Sequence, residues 1–197
     1  MSIHRFWAPV EALVLGGVVE LPEAAAHQIR RVLRLRPGNV ISVFGGDGVE
    51  WKASLAEVGS RVMARLEGGE RPDVELPEEL ELAVAVLKGE KLDWLVQKTT
   101  ELGVTRIQLL WTERTVVSER EERWSARLAR LHRIGCEAAE QSGRVRLPEI
   151  LPPRRLQELP AGKPTGLRVC LDPHSAQGLG ALVRGARGSV SLFCGPE

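Results

Sequence analysis

The sequence predicts an α/β chain that opens with an all-β unit, and three observations carry that reading. Upstream of residue 70, short alternating apolar segments are separated by glycine and proline turns. Downstream of residue 80, nearly continuous apolar runs alternate with segments of helical period, the rhythm of a buried parallel sheet. Between them, Glu70, Asp73, Glu75, Glu78, Glu79 and Glu81 face a single Arg71, with Pro72 and Pro77 interspersed. That acidic, proline-containing stretch marks the boundary between an expected first domain, 1–72, and a second, 73–197.

In chain order, Leu21 to Leu33 reads as one short helix, with Pro22 near its first turn and Ala25, Ile29, Val32 and Leu33 at helical spacing. Arg36-Pro37-Gly38-Asn39 is a turn, and Val40 to Phe44 alternates as a strand. Gly45-Gly46-Asp47-Gly48 is a hairpin connection into strands Val49 to Val58 and Arg61 to Leu66, so a small β-barrel carrying one basic helix is expected. Leu80 to Leu87 is the first buried strand of the second domain. Leu92, Leu95, Val96, Thr99 and Leu102 then line one helical face, which Gly103 closes. Val104 to Trp111 is the next strand. Ser118 and Glu121 form a capping box for a long helix through Trp124, Leu128, Leu131, Ile134 and Ala138. Pro148, Pro152, Pro153, Pro160 and Pro164 read as a surface connection. Leu167 to Leu171 and Ser189 to Cys194 are two further strands with a helix between them. Ligands are expected at the carboxyl ends of such strands.

Composition narrows the function classes. The 197 residues are 43% hydrophobic and 27% charged, enough for a core without disulfide or metal staples. A net charge of +1 argues against a wholesale polyanion binder, and no run of eighteen apolar residues offers a spanning helix, so no membrane is expected. The first residues lack a signal-peptide pattern. Cys136, Cys170 and Cys194 are at spacings no zinc site uses and read as reduced, buried thiols, pointing to the cytoplasm. His4, His27, His132 and His174 are scattered, so no metal is expected, and no Gly-x-Ser-x-Gly elbow is present. Gly45 to Gly48 lacks the helix and Lys-Ser or Lys-Thr of a phosphate loop.

Five groups of residues are candidates for chemistry. Arg30, Arg31, Arg34 and Arg36, with His27, fall in an interval from Glu23 to Asp47 without an acid. Their mutual repulsion would be relieved by a phosphate backbone, although a solvated helix face explains them equally. Lys88-Gly89-Glu90-Lys91 sits after the first α/β strand and Arg114 after the second. Glu140-Gln141-Ser142-Gly143-Arg144 ends a helix in a polar cluster, whose glycine a C-cap also explains. Gly195-Pro196-Glu197 follows the last strand, where backbone can approach a ligand closely.

Taken in order, these segments resemble the RsmE family, SPOUT-class methyltransferases that modify a uridine N3 in 16S ribosomal RNA. The resemblance runs through His4-Arg5-Phe6, HQIRRVLRLRPG (27–38), LKGEKLDWLVQKTTELGVTRI (87–107), Glu113-Arg114-Thr115-Val116, AAEQSGRVRLPEI (138–150) and GPE (195–197). It implies a PUA-like barrel for RNA docking followed by a SPOUT domain with a trefoil knot that binds S-adenosylmethionine. It also implies a cytoplasmic homodimer acting on 16S ribosomal RNA or the small ribosomal subunit. Carried over by motif, Gly195, Pro196 and Glu197 belong to the cofactor loop, and Leu171, Asp172, Pro173 and His174 form another wall. Arg144 points toward the catalytic cleft with Arg114 as second candidate, and Arg5, Arg30, Arg31 and Arg34 contact RNA phosphates. Arg144→Ala is expected to slow turnover without disturbing the fold. Glu140 and Asp172 are the possible bases. The family pattern continues after GPE through a motif like LGxRILRxETA, whereas this sequence stops at Glu197. The knot is therefore expected to be incomplete in this chain, and a polypeptide ending there to bind the cofactor weakly. The competing reading is a non-catalytic RNA-binding protein that uses the barrel and keeps the α/β domain for dimerisation.

Overall fold

The computed structural model describes residues 3–115, 124–159 and 166–196. The capping pair Ser118 and Glu121, Pro160, Pro164 and Glu197 lie outside them. The chain divides into two compact units, the first made of residues 1–75 and 139–147, the second of 76–138 and 148–197.

In the first unit, strands β1 (Arg5–Trp7), β2 (Val18–Glu20), β3 (Val40–Phe44), β4 (Glu50–Val58) and β5 (Val62–Glu70) form one curled, mixed sheet in the order β1-β3-β4-β5-β2. β1 runs parallel to β3, and the other pairs are antiparallel. Phe6, Ile41, Val43, Leu55 and Leu66 point inward from alternate strand positions and pack on Ile29, all at most 2% exposed. The expected basic helix is α1 (Glu23–His27), which continues as a π-helical turn over Gln28–Leu33. Arg34 then closes the turn in the left-handed conformation at φ 52°, a position that glycine normally takes.

In the second unit, β6 (Leu80–Ala85), β7 (Arg106–Trp111), β8 (Glu149–Arg155), β9 (Leu167–Cys170) and β10 (Val190–Cys194) form an all-parallel sheet in the order β8-β7-β6-β10-β9. Helices α2 (Glu90–Glu101), α3 (Trp124–Ser142, of which residues 139–142 belong to the first unit) and α4 (Leu179–Val183) lie between these strands in the chain. Leu82, Val84, Ile107 and Leu109 of the central strands pack with Leu92, Val96 and Leu131 from the helices. Leu131 is fully buried, so this core excludes water on the helix side as well.

Three expectations need correction. The proline-rich segment is not merely a surface connection, because β8 runs through Pro152 and Pro153. It is an edge strand, so a missing N–H can face away from the ladder. The two prolines also coincide with a register shift opposite Gln108 and Leu110, where Gln108 Nε2 donates to the Pro152 carbonyl at 2.9 Å. Leu102 is 74% exposed, and Thr100 is buried on the helix face instead. The chain leaves the helix at Leu102, and Gly103 turns it at φ 97°, so helical phase no longer sets the direction of that side chain. Of the cysteines only Cys136 is buried; Cys170 is exposed and Cys194 half-buried.

Gly166 supplies a direct test of the β9–β10 junction. A Cβ there would lie 1.9 Å from the Ser189 carbonyl oxygen, the acceptor of the Leu167 N–H at 2.9 Å. Gly166→Ala is expected to lower stability by at least about 2 kcal/mol, because backbone must shift to accept it. A melting temperature equal to the parent's would refute this.

Candidate active site

At the carboxyl ends of the parallel strands lies a cavity of about 570 Å³, within the size range of ligand sites. Trp111, Thr112, Glu113 and Arg114 line it from the end of β7, and Arg155, Leu156 and Gln157 from the end of β8. Leu171 follows β9, and Gly195 and Pro196 follow β10. Leaving the sheet, Leu171 donates its N–H to the Phe193 carbonyl at 2.8 Å, which holds the two exits side by side. A Cβ at Gly195 would meet nothing within 4 Å, so the chain there faces open space. The cavity thus mixes indole and leucine surface with two guanidinium groups and a carboxylate. A flat, partly charged organic ligand suits such a lining. A smaller cavity at the amino ends of the strands, about 200 Å³, has Glu79, Glu81, Arg106 and Arg168 in its rim.

The structure brings together four of the site residues expected in this domain: Arg114, Leu171, Gly195 and Pro196. Asp172, Pro173 and His174 do not line the cavity. They form an exposed turn, in which Asp172 Oδ1 accepts the His174 N–H at 2.9 Å. Glu140, the other possible base, accepts the Trp7 backbone N–H at 2.8 Å within the first unit.

Arg144 also belongs to the first unit and is 4% exposed. Its Nε and Nη2 donate to Glu75 Oε2 at 3.0 and 2.7 Å. Glu75 Oε1 meanwhile accepts the N–H groups of Val145 and Arg146 at 2.9 and 2.8 Å. Burial pushes the Glu75 carboxyl upward, but the Arg144 ion pair and the two backbone donors outweigh it and hold it below its usual value.

The four expected RNA-contacting arginines divide into two pairs. Arg5 Nε donates to Glu50 at 2.7 Å, and Nη1 and Nη2 donate to the carbonyls of Ala139, Glu140 and Arg144. Its guanidinium also lies 4.9 Å from the centre of the Phe44 ring. Arg30 donates to the carbonyls of Gly59 and Ser60, both at 2.8 Å, and to Glu23 at 2.6 Å. Arg31 and Arg34 stand exposed on the π-helical turn and its cap.

The walls supplied by Trp111, Thr112, Arg155, Leu156 and Gln157 escaped the sequence reading. The signal was available: reading residues 149–155 as an edge strand would have put Arg155 to Gln157 at a carboxyl end. Among the described residues, no group of three His, Cys, Asp or Glu side chains is arranged to hold a metal ion.

An RNA methyltransferase domain matches residues 74–197, and an RNA methyltransferase PUA domain matches residues 21–61. Ribosomal RNA small subunit methyltransferase E from Neisseria gonorrhoeae, solved bound to S-adenosyl methionine, superposes with a TM-score of 0.87 at 33% identity. The alignment covers 99% of this chain and 80% of that one. The chain belongs to the RsmE family of RNA methyltransferases. Ribosomal RNA small subunit methyltransferase E of Synechocystis is 33% identical over 93% of this chain and 61% of the relative. The Bacillus subtilis protein of that name is 32% identical over 68% of this chain and 52% of the relative. The chain therefore spans little more than half the length of these two curated members of the family.

Proposed function

We propose that the protein transfers a methyl group from S-adenosylmethionine to N3 of a uridine in 16S ribosomal RNA. The observation that carries this reading is the cavity at the carboxyl ends of β7 to β10, where Arg114 shares a lining with Leu171, Gly195 and Pro196. Its volume and its mixed apolar and charged walls fit an adenosyl amino acid. Membership of the family supports the RNA substrate.

When bound, S-adenosylmethionine supplies a methyl group already activated by the sulfonium, so the chain has mainly to align and to stabilise charge. Trp111, Leu156 and Leu171 exclude water from one side of the cavity, and Gly195 lets backbone come close. Asp172, Pro173, His174 and Glu197 complete the cofactor loops in this proposal. Uridine N3 becomes a nucleophile only when its proton leaves. Arg114 stabilises the negative charge that then spreads onto the pyrimidine carbonyl oxygens. Neither Glu140 nor Asp172 lines the cavity, whereas Glu113 does, and we assign the N3 proton to its carboxylate. Arg144 contributes through the backbone it fixes, and direct contact with the base would require its release from Glu75. The uridine must be unstacked to reach the cavity.

Arg31 and Arg34 are the phosphate contacts with free reach, and Arg30 braces the turn that presents them through Gly59, Ser60 and Glu23. Arg5 would reach a phosphate only on leaving Glu50 and the 139–144 carbonyls. The protein acts in the cytoplasm, as a homodimer, on this RNA alone or in the small subunit. Among the described residues, no helix is long and apolar enough to cross a membrane.

The test is methyl transfer from labelled S-adenosylmethionine to small-subunit RNA, with the product nucleoside identified by mass spectrometry. N3-methyluridine is expected, and absence of any methylated uridine would sink the reading. Cofactor-independent RNA binding with no transfer would favour the non-catalytic alternative. Arg34→Gly separates charge from fold: relief of the left-handed arginine should stabilise by up to about 1 kcal/mol. The same change should weaken RNA binding and flatten its salt dependence by about one phosphate contact. An unchanged salt slope would remove Arg34 from the interface.

A further inference from the structure

Beside the cavity, the carboxyl ends of β6 and β7 are tied together by a line of contacts that the proposed reaction does not use. Trp111 closes β7 and lines the cavity. Its ring meets that of Trp124, the first described residue of α3, edge to face, with centroids 5.5 Å apart and planes at 85°. Trp124 is 7% exposed. Arg127, three residues on and so on the same helix face, sets its guanidinium carbon 4.9 Å from the centre of the Trp124 ring. It also donates from Nη2 to the Leu87 carbonyl at 2.9 Å, two residues past the end of β6.

These contacts exact a cost. A cation partly withdrawn from water is disfavoured unless fixed partners replace the water, and here an indole face and a carbonyl do so. Asp93 offsets part of that cost, while the like charge of Arg130, which holds Asp93 at 2.5 Å, adds to it. A lysine would reach a single acceptor but would not offer a planar cation to the ring.

We infer that Arg127 is a positioning residue, which sets the Trp111 wall of the cavity by clamping Trp124 between α3 and the end of β6. The inference rests on the proposal that this cavity takes S-adenosylmethionine. Arg127 touches neither cofactor nor substrate in it, and acts through the two indoles.

The experiment compares Arg127→Gln, Arg127→Lys and Trp124→Phe with the parent by near-ultraviolet circular dichroism and by cofactor titration. Trp111→Phe serves only to define the coupled signal of the two indoles. Arg127→Gln lacks the cation, and its shorter side chain also withdraws from the Leu87 carbonyl, so the coupled signal should fall. The cofactor dissociation constant should rise about tenfold, the loss of one desolvated cation–π contact. Turnover at saturating cofactor should change less than about threefold, a split that marks positioning rather than chemistry. Arg127→Lys should restore little, whereas Trp124→Phe, which retains a ring for both contacts, should bind cofactor nearly as the parent does. An unchanged indole signal in Arg127→Gln overturns the inference, as does a reduced signal with unchanged cofactor affinity. If the parent itself binds no cofactor, the reading of the cavity fails. The coupled signal of Arg127→Gln then still decides whether Arg127 places Trp111.

Discussion

Replacing Arg144 by alanine, which by the motif alone should leave the fold undisturbed, is instead expected to destabilise the protein by about 3–5 kcal/mol, the cost of leaving a buried carboxylate without its cation. Glu75 is only 11% exposed at its side chain, so water cannot take over the lost contacts. Its Oε1 also serves the Val145 and Arg146 N–H groups, which makes the damage spread along the backbone. Glu75→Gln combined with Arg144→Met removes both charges while leaving an acceptor for those N–H groups. That pair should recover much of the loss, and the double-mutant cycle measures how much. Denaturant unfolding decides the matter: an Arg144→Ala variant as stable as the parent would show that the ion pair holds nothing.

The pH dependence has a definite sign. The folded Glu75 carboxyl lies below its ordinary value of 4.5, so the unfolded chain binds its proton first as pH falls. The stabilisation is fully present above that ordinary value and disappears as pH drops through the lowered folded value. The parent should therefore lose stability on acidification over that window, and Arg144→Ala should lose less. Activity assays of Arg144 variants need a temperature at which both proteins are folded. Any fall in turnover beyond the folded fraction would then speak for contact with the base.

Arg114→Ala is expected to reduce turnover by about 10²–10³-fold, the usual cost of removing one donor aimed at a developing oxyanion. Cofactor affinity should change far less, since the interaction strengthens only as N3 loses its proton. Arg114→Lys should recover part of the rate, because a point charge replaces the planar fork imperfectly. Single-turnover methylation at saturating cofactor separates these effects. A parental rate in Arg114→Ala would transfer the role to Arg155, the other guanidinium on the lining.

The legible parts of the fold were those with local causes. Val40 to Phe44 emerged with its observed bounds because a Pro-Gly turn and a Gly-Gly turn fence an alternating strand. The central strand β6 announced itself by an apolar run long enough to be buried on both faces. β1 and β2 were missed because three residues carry too little periodicity. β8 was missed because proline argues against a strand unless its edge position is known, and that position is set by the whole sheet.

The candidate site divided in the same way. Arg114, Leu171, Gly195 and Pro196 follow strands that could be read locally, and they converge. The fates of Arg5 and Arg144 could not be read from their neighbours. Arg5 finds its hydrogen-bond partners 45 to 139 residues away, and Arg144 meets Glu75 across 69 residues. Charge patterning identifies a cation but not whether tertiary structure neutralises it.

The make-up of the first unit sets an order on how the protein can be synthesised. Residues 139–147 belong to it, yet they follow two strands of the parallel sheet in the chain. As the chain emerges from the ribosome, Arg5 and Glu75 are made long before the carbonyls, N–H groups and guanidinium that satisfy them. The early segment must therefore wait with the Glu75 carboxylate and the Nη groups of Arg5 still solvated, and it is completed only after residue 147 appears. Cutting the gene after residue 75 would not liberate an independent module but strand one, with its last hydrogen-bond partners left on the other fragment.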